Sequence, residues 1–184
     1  MRRYHPVLVA LHWLLALMII GGLIMGANVL SVTPNDVPEK LFYLKMHMSM
    51  GITIFILMLI RLGIRLFTVK PPAADIGNGL VNKLGIATHY LFYLVVILMG
   101  VSGLATASMT GLPEIVFGNS GLPLIASFDD LPPRIAHRAL GIVLSILIIG
   151  HVFAFLYHQY VRKDGLLTRM WFGRRSENSS EDQP

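Results

Sequence analysis

Cysteine is absent from this chain and charge is scarce. Of 184 residues, 10 are acidic and 15 basic, while 54% are hydrophobic. Without thiols there is no disulfide, no thiolate-held zinc or iron–sulfur cluster, and no C-x-x-C-H sequence for covalently attached haem. Any metal or cofactor must be held by nitrogen and oxygen. So few charges among so many apolar side chains, with a mean hydropathy of +0.66, exclude an ordinary soluble domain. The basic excess forms no stripe suited to nucleic acid, so no nucleic-acid partner is expected.

What the chain has instead is long apolar runs. Four of them, about Val7 to Leu30, Leu41 to Phe67, Leu84 to Ala107 and Ile135 to Val161, exceed the roughly 20 helical residues needed to cross a hydrocarbon core. Short or polar connections carrying Thr33-Pro34, Pro71-Pro72, Gly111 to Pro123 and Pro132-Pro133 separate them. The expected fold is therefore all-α, an integral membrane four-helix bundle of antiparallel neighbours, lying in lipid. The first run reads as a membrane span rather than a cleaved signal. It is too long for a signal core, contains His12-Trp13, and lacks a small-x-small cleavage site before Ser31.

Lys and Arg placement orients the bundle. Arg2, Arg3, Arg61, Arg65, Lys70, Lys83, Arg162, Lys163, Arg169, Arg174 and Arg175 make 11 of the 15 basic residues and fall on one side, against Lys40, Lys45, Arg134 and Arg138 on the other. The basic-rich side, with both termini, is expected to be cytoplasmic. Residues 1–175 read as a single domain, and 176–184, Ser-Glu-Asn-Ser-Ser-Glu-Asp-Gln-Pro with the Ser at 176, as a polar, disordered tail.

Against this background the histidines stand out, because an imidazole in a membrane span is costly and calls for a partner. His12 lies near the cytoplasmic start of the first span, and His47 and His137 near the outer starts of the second and fourth. His151 returns the fourth span toward the cytoplasm, and 151 − 137 = 14 residues corresponds to about 21 Å of rise, about 40° short of four whole turns. Depth thus pairs His47 with His137 outside and His12 with His151 inside. Two facing imidazoles on different helices suit six-coordinate haem b, whose porphyrin supplies the four equatorial nitrogens. Zinc wants four protein or water ligands, and neither pair has further carboxylates or histidines at its level. Gly51 and Gly141, each four residues after a histidine, would let a flat macrocycle lie close, although glycines also serve as plain helix contacts. Interhelical hydrogen bonds remain the bland account of any one histidine taken alone.

These residues resemble the bacterial cytochrome b561 family, four-helix di-haem proteins related to the cytochrome b subunits of nickel–iron hydrogenases. The resemblance runs to about Arg175. It is carried by Leu11-His12-Trp13-Leu14, by His47 with Gly51 and Arg61-Leu-Gly-Ile-Arg65-Leu, by Ala87-Thr-His89-Tyr90, by His137 with His151, and by Lys163-Asp164-Gly-Leu-Leu-Thr-Arg169-Met170. It implies two non-covalent haem b groups, one on His12 and His151 at the cytoplasmic side and one on His47 and His137 at the periplasmic side. It also implies residence in the bacterial inner membrane.

The remaining polar residues admit two readings each. His158, seven residues and about 10 Å beyond His151, and His89, at the cytoplasmic end of the third span, could donate to a haem propionate or a quinone carbonyl, or could simply sit at the interface. His89 has no free partner expected at its level, and His5 reads as interfacial. Arg61 and Arg65 share a helix face and either snorkel to lipid phosphate or pair with a propionate. Lys45, Arg134 and Arg138 surround the outer pair and could attract a small anion or an acidic partner, or could anchor helix ends, with Asp129 and Asp130 nearby weakening the field.

The expected activity is electron transfer across the membrane, between haems about 21 Å apart along the fourth span, with quinone as the lipid-soluble partner. Within the resembling family, superoxide oxidation coupled to ubiquinone reduction is one characterised activity, so an oxidoreductase is the expected enzyme class. Two other readings stand beside it. One is a membrane-anchor cytochrome b that passes electrons between a separate redox enzyme and quinone. The other is a haem-free transporter using its histidines as a proton relay.

Overall fold

The computed structural model describes residues 4–68, 79–118, 120–163, 165, 167 and 170. The N-terminal arginines Arg2 and Arg3, Lys70 with Pro71-Pro72, Asp164, Arg169, Arg174, Arg175 and the 176–184 tail lie outside the described residues. Among those described there is no strand. The chain forms α1 (Pro6–Met25), α2 (Glu39–Phe67), α3 (Gly79–Met109), a short α4 (Leu112–Val116) and α5 (Pro132–Leu156). α1 and α5 each run on into a π-helical turn, Gly26–Leu30 and Tyr157–Arg162.

Local chemistry sets these boundaries. Pro6 occupies the first turn of α1, where the missing N–H costs nothing, and the His5 imidazole caps the helix by accepting from the Val7 amide at 3.3 Å. Pro132 and Pro133 start α5 in the same way. Glu39 in the first turn of α2 and Arg65 in its last turn suit the helix dipole. The π-helical end of α5 stops at Lys163, which adopts the left-handed conformation with φ 51°. Hydroxyls within the spans bond back one turn, as in Thr53 to Ser49, Thr106 to Ser102 and Ser145 to Gly141. That leaves no hydroxyl of these three exposed to hydrocarbon unpaired.

Among the described residues four segments are long and apolar enough to cross a membrane: Pro6–Leu30, Glu39–Phe67, Asn82–Met109 and Pro132–Arg162. They match the expected runs to within three residues at every end, so the all-α membrane bundle stands. Large apolar side chains such as Leu17, Phe67, Ile146 and Phe153 are more than 60% exposed, a surface that suits lipid and not water. Four spans running alternately up and down return the start of α1 and the end of α5 to one end, called basal here. The opposite end, distal, carries the connection from Thr110 to Leu131.

The core lies midway between these ends. Leu15, Met58, Tyr93, Val95, Val96 and Leu144 form one buried cluster, with Leu144, seven residues from both His137 and His151, the most deeply buried of all at 1% exposure. A second cluster, Ala107, Leu112 and Val116 against Leu44, Met48, Leu124 and Phe128, packs α4 over the distal end. Asn35 ties this cap to the first connection by donating to the carbonyls of Ile125 (2.9 Å) and Ala126 (3.3 Å). Lys40 is buried there as well, its Nζ donating to the carbonyls of Leu30 and Thr33 at 2.6 Å each. It thereby satisfies the end of the first span, whose last carbonyls have no helical partner.

Candidate functional site

α5 packs its backbone closely along α3, α1 along α2, and α2 along α3; α5 makes no comparable approach to α1 or α2. Side chains bridge those two wider gaps, and they are histidines. His12 on α1 faces His151 on α5 with ring centroids 6.3 Å apart, and His47 on α2 faces His137 on α5 at 6.1 Å. The first pair is basal and the second distal, with the apolar core around Leu144 between them.

These separations fit two imidazoles on either side of one metal as well as they fit an edge-to-face ring contact. Two metal–nitrogen bonds of about 2 Å each, with the depth of the two rings, put axial imidazole centroids roughly 6 Å apart. The ring planes are inclined by 68° and 76°. Such inclinations would not prevent both rings from giving a nitrogen lone pair to one metal held between them. Among the described residues there is no group of three or more His, Asp or Glu side chains poised to hold a bare ion. A macrocycle that brings its own equatorial donors needs only a pair.

The distal pair is held in a definite state. A carbonyl oxygen can only accept, so His137 must carry its proton on Nδ1, which donates to Met99 O at 3.0 Å. The Ser102 hydroxyl oxygen lies 3.2 Å from the same Nδ1 and itself donates to Met99 O at 2.9 Å. Nε2 of His137 is thus left as a lone-pair donor, the arrangement typical of a metal-ligating histidine. Across the gap, Nδ1 of His47 is buried without a partner, an uncompensated polar atom that a bound group would accommodate. Glycines on facing helices admit both rings: a Cβ at Gly26 would stand 3.5 Å from His47 Cε1, and one at Gly103 would stand 3.3 Å from His137 Cε1. Gly51, by contrast, has open space where its Cβ would be, and Gly141 faces Met99 and Leu23. The close approaches are therefore made by glycines opposite the histidines, while Gly51 leaves room beside its own.

The basal site is a trio. His89 on α3 brings its ring to 5.8 Å from His151, and its Nδ1 donates to the Gly85 carbonyl at 2.7 Å. The ring that His89 meets at its own level is thus His151, which already faces His12. Phe92 closes on His151 at 5.5 Å. Trp13, beside His12, donates its indole N–H to the Met170 carbonyl at 3.0 Å, which sets Met170 against α1. His158 sits further along, on the π-helical turn, its ring 6.0 Å from that of Tyr157. His5 is used in capping α1.

The charged groups also settle into place. Arg61 and Arg65 turn inward against α3 tyrosines, and both Nε atoms are buried. At the distal end Arg134 is half-buried and acts electrostatically on both His47 and His137, while Lys45 lies over the Phe117 ring of the cap at 5.9 Å. Arg138 is exposed.

Facing imidazoles at two levels of a four-helix bundle apolar enough to cross a membrane suit an integral membrane cytochrome of the b type, a class whose work is electron transfer. The particular family is the prokaryotic cytochrome b561 family, to which this chain belongs: the family model matches residues 3–173. Haem b is the cofactor this membership implies, in a multi-pass bacterial membrane protein. A probable superoxide oxidase CybB of Yersinia pestis is 30% identical over 173 residues, covering 92% of this chain and 96% of the relative. Cytochrome b561 homolog 2 of Escherichia coli (strain K12) is 26% identical over 176 residues, covering 91% and 90%. Homolog 1 of the same organism is 23% identical over 172 residues, covering 92% and 97%.

Several residues escape a reading of the sequence alone. Met99 acts through its carbonyl, which no side-chain motif reveals. Ser102, Gly103 and Gly26 could have been flagged only by the small-residue run Gly100-Val-Ser102-Gly103 and by Gly26 closing the first span.

Proposed function

We propose that residues 1–175 form one di-haem domain of the bacterial inner membrane that carries electrons from a periplasmic donor to quinone. The single observation that carries this reading is the double pairing at 6.3 Å and 6.1 Å, with one member of each pair on α5. His12 and His151 hold the basal haem b, and His47 and His137 hold the distal one. Each iron supplies a one-electron carrier when the group is bound. The basic bias puts the basal end in the cytoplasm.

The chain's own residues set what happens at each face. At the distal end Lys45, Arg134 and Arg138 raise the local concentration of a small anion, and superoxide is the donor this field suits; the relative named a probable superoxide oxidase supports that choice. The balance is two superoxide ions oxidised to two molecules of dioxygen, with one quinone and two protons becoming quinol. His158 and His89 stand at the basal end, where a quinone carbonyl needs a donor and protons arrive from the cytoplasm. The Leu144 cluster keeps water from bridging the two faces, so that electrons cross while protons do not.

The test is a pyridine haemochrome assay of the purified, reduced protein, followed by addition of superoxide and a quinone analogue. Two b haems per chain and quinone-dependent turnover support the proposal. Reconstituted protein that binds no haem overturns it, and haems that are reduced only with a co-purifying partner would indicate a membrane anchor instead.

A further inference from the structure

α2 and α5 run in the same direction, and each carries a distal histidine near its start. Fourteen residues later α5 offers His151, since 151 − 137 = 14; by the same count 61 − 47 = 14, and α2 offers Arg61. An arginine therefore stands at the level of the basal histidines, and a second, Arg65, lies one turn nearer the basal surface.

Neither arginine snorkels outward. Arg61 donates from Nη1 to the Tyr93 hydroxyl at 2.6 Å, and its guanidinium lies 5.3 Å from the centre of that ring. Arg65 lies 5.9 Å from the centre of the Tyr90 ring. The two tyrosines are three residues apart on α3, so the guanidiniums are held side by side against one helix face. Arg61 acts electrostatically on His12, His89 and His151, and Arg65 on His89, which places the pair beside the basal trio.

Among the described residues no carboxylate answers them. The four membrane segments contain one acidic residue, Glu39, at the distal start of α2. The groups acting on Arg61 are Tyr93, Arg65 and Tyr4, none of them acidic, and both Nε atoms are buried without a hydrogen-bond partner. Two uncompensated guanidiniums in an apolar setting are costly unless an anion joins them, and planar forked donors match a carboxylate in particular.

We propose that Arg61 and Arg65, braced by Tyr93 and Tyr90, form the carboxylate-binding fork that holds the propionates of the basal haem. This rests on the haem reading above. It gives the two arginines a binding role in place of lipid anchoring, and it fixes which edge of the cofactor faces α2 and α3.

The experiment uses the full-length holoprotein in nanodiscs, carrying haem labelled with carbon-13 at its carboxylates. Redox-difference infrared spectra and midpoint titrations are compared for the unaltered protein and for R61Q/R65Q. The expected result is a shift of one set of labelled carboxylate bands and a lower midpoint for the basal haem, because loss of positive charge favours ferric iron. The distal bands and midpoint stay unchanged and report an intact fold. If R61Q/R65Q does not retain the basal haem, the same bands are read in R61K/R65K, which keeps the charges and loses the fork; a shift there supports the assignment. Unmoved labelled bands and midpoints, with less phospholipid bound, would overturn it in favour of a lipid phosphate. Unmoved bands with unchanged lipid would overturn it outright. Failure of the haem reading looks different, since the unaltered protein would then show no labelled bands at all.

Discussion

The hydroxyl of Ser102 lies 3.2 Å from Nδ1 of His137, and both groups converge on the Met99 carbonyl. A hydrogen bond at Nδ1 makes the opposite nitrogen a stronger donor and stabilises the more positive oxidation state of a bound metal. Ser102→Ala removes one of the two contacts and barely changes volume. The distal haem should keep its stoichiometry and rise in midpoint potential, with the basal haem unmoved, as a spectroelectrochemical titration will read. An unchanged distal midpoint would remove Ser102 from the tuning of this site.

Selective haem loss tests the pairing by level. On the proposed two-haem reading, Ala at His47 or His137 should halve the haem content and leave the basal spectrum in place, and Ala at His12 or His151 should do the converse. Pyridine haemochrome assays with low-temperature spectra distinguish the two. Loss of both haems from His137→Ala would mean that the pairs are not independent.

Gly103 touches the site without chemistry of its own. A Cβ there would stand 3.3 Å from His137 Cε1 and 3.4 Å from its Nδ1, so Gly103→Val must displace the ring. Overpacking of this kind costs about 1–3 kcal/mol. Thermal release of the distal haem should come at lower temperature than in the unaltered protein.

Lys40 fastens the end of the first span to the start of α2. Lys40→Met strips both the Leu30 and Thr33 carbonyls of a donor, at about 1–3 kcal/mol for each buried group left unpaired. The melting temperature in detergent should fall, with distal haem lost before basal. A melting curve unchanged by the substitution would show that water replaces the ammonium without penalty.

The positive distal field has a kinetic signature. Neutralising Lys45, Arg134 and Arg138 to Gln should slow reduction by superoxide by roughly tenfold at low ionic strength and flatten its salt dependence. Stopped-flow measurement across a salt series reads both effects. An identical salt slope would place the donor's approach elsewhere.

Much of this was legible in the residues because a membrane restricts what a sequence can do. Apolar runs long enough to cross lipid must become helices, and their ends were read closely: Val7 to Leu30 against Pro6–Leu30, and Leu41 to Phe67 against Glu39–Phe67. Depth then followed from residue number, which is why His12 could be matched with His151 and His47 with His137 before any coordinates. What depth cannot supply is azimuth. His89 shares a level with His151, yet only the packing of α3 on α5 brings their rings to 5.8 Å. Arg61 and Arg65 read from the sequence as lipid-phosphate anchors ahead of propionate partners, and the packing of α3 instead sets them against Tyr93 and Tyr90.

By itself, then, the sequence determined the class of fold, the number of crossings and the level of each histidine, because hydrophobic length and a rise of about 1.5 Å per residue act along one axis. Only the tertiary structure decided which helix faces turn inward. It set the Met99 carbonyl and Ser102 behind His137, placed Gly26 and Gly103 opposite the imidazoles, and turned the two arginines away from lipid. Those choices depend on how four helices rotate against one another, and no periodicity within a single, almost uniformly apolar helix encodes that rotation.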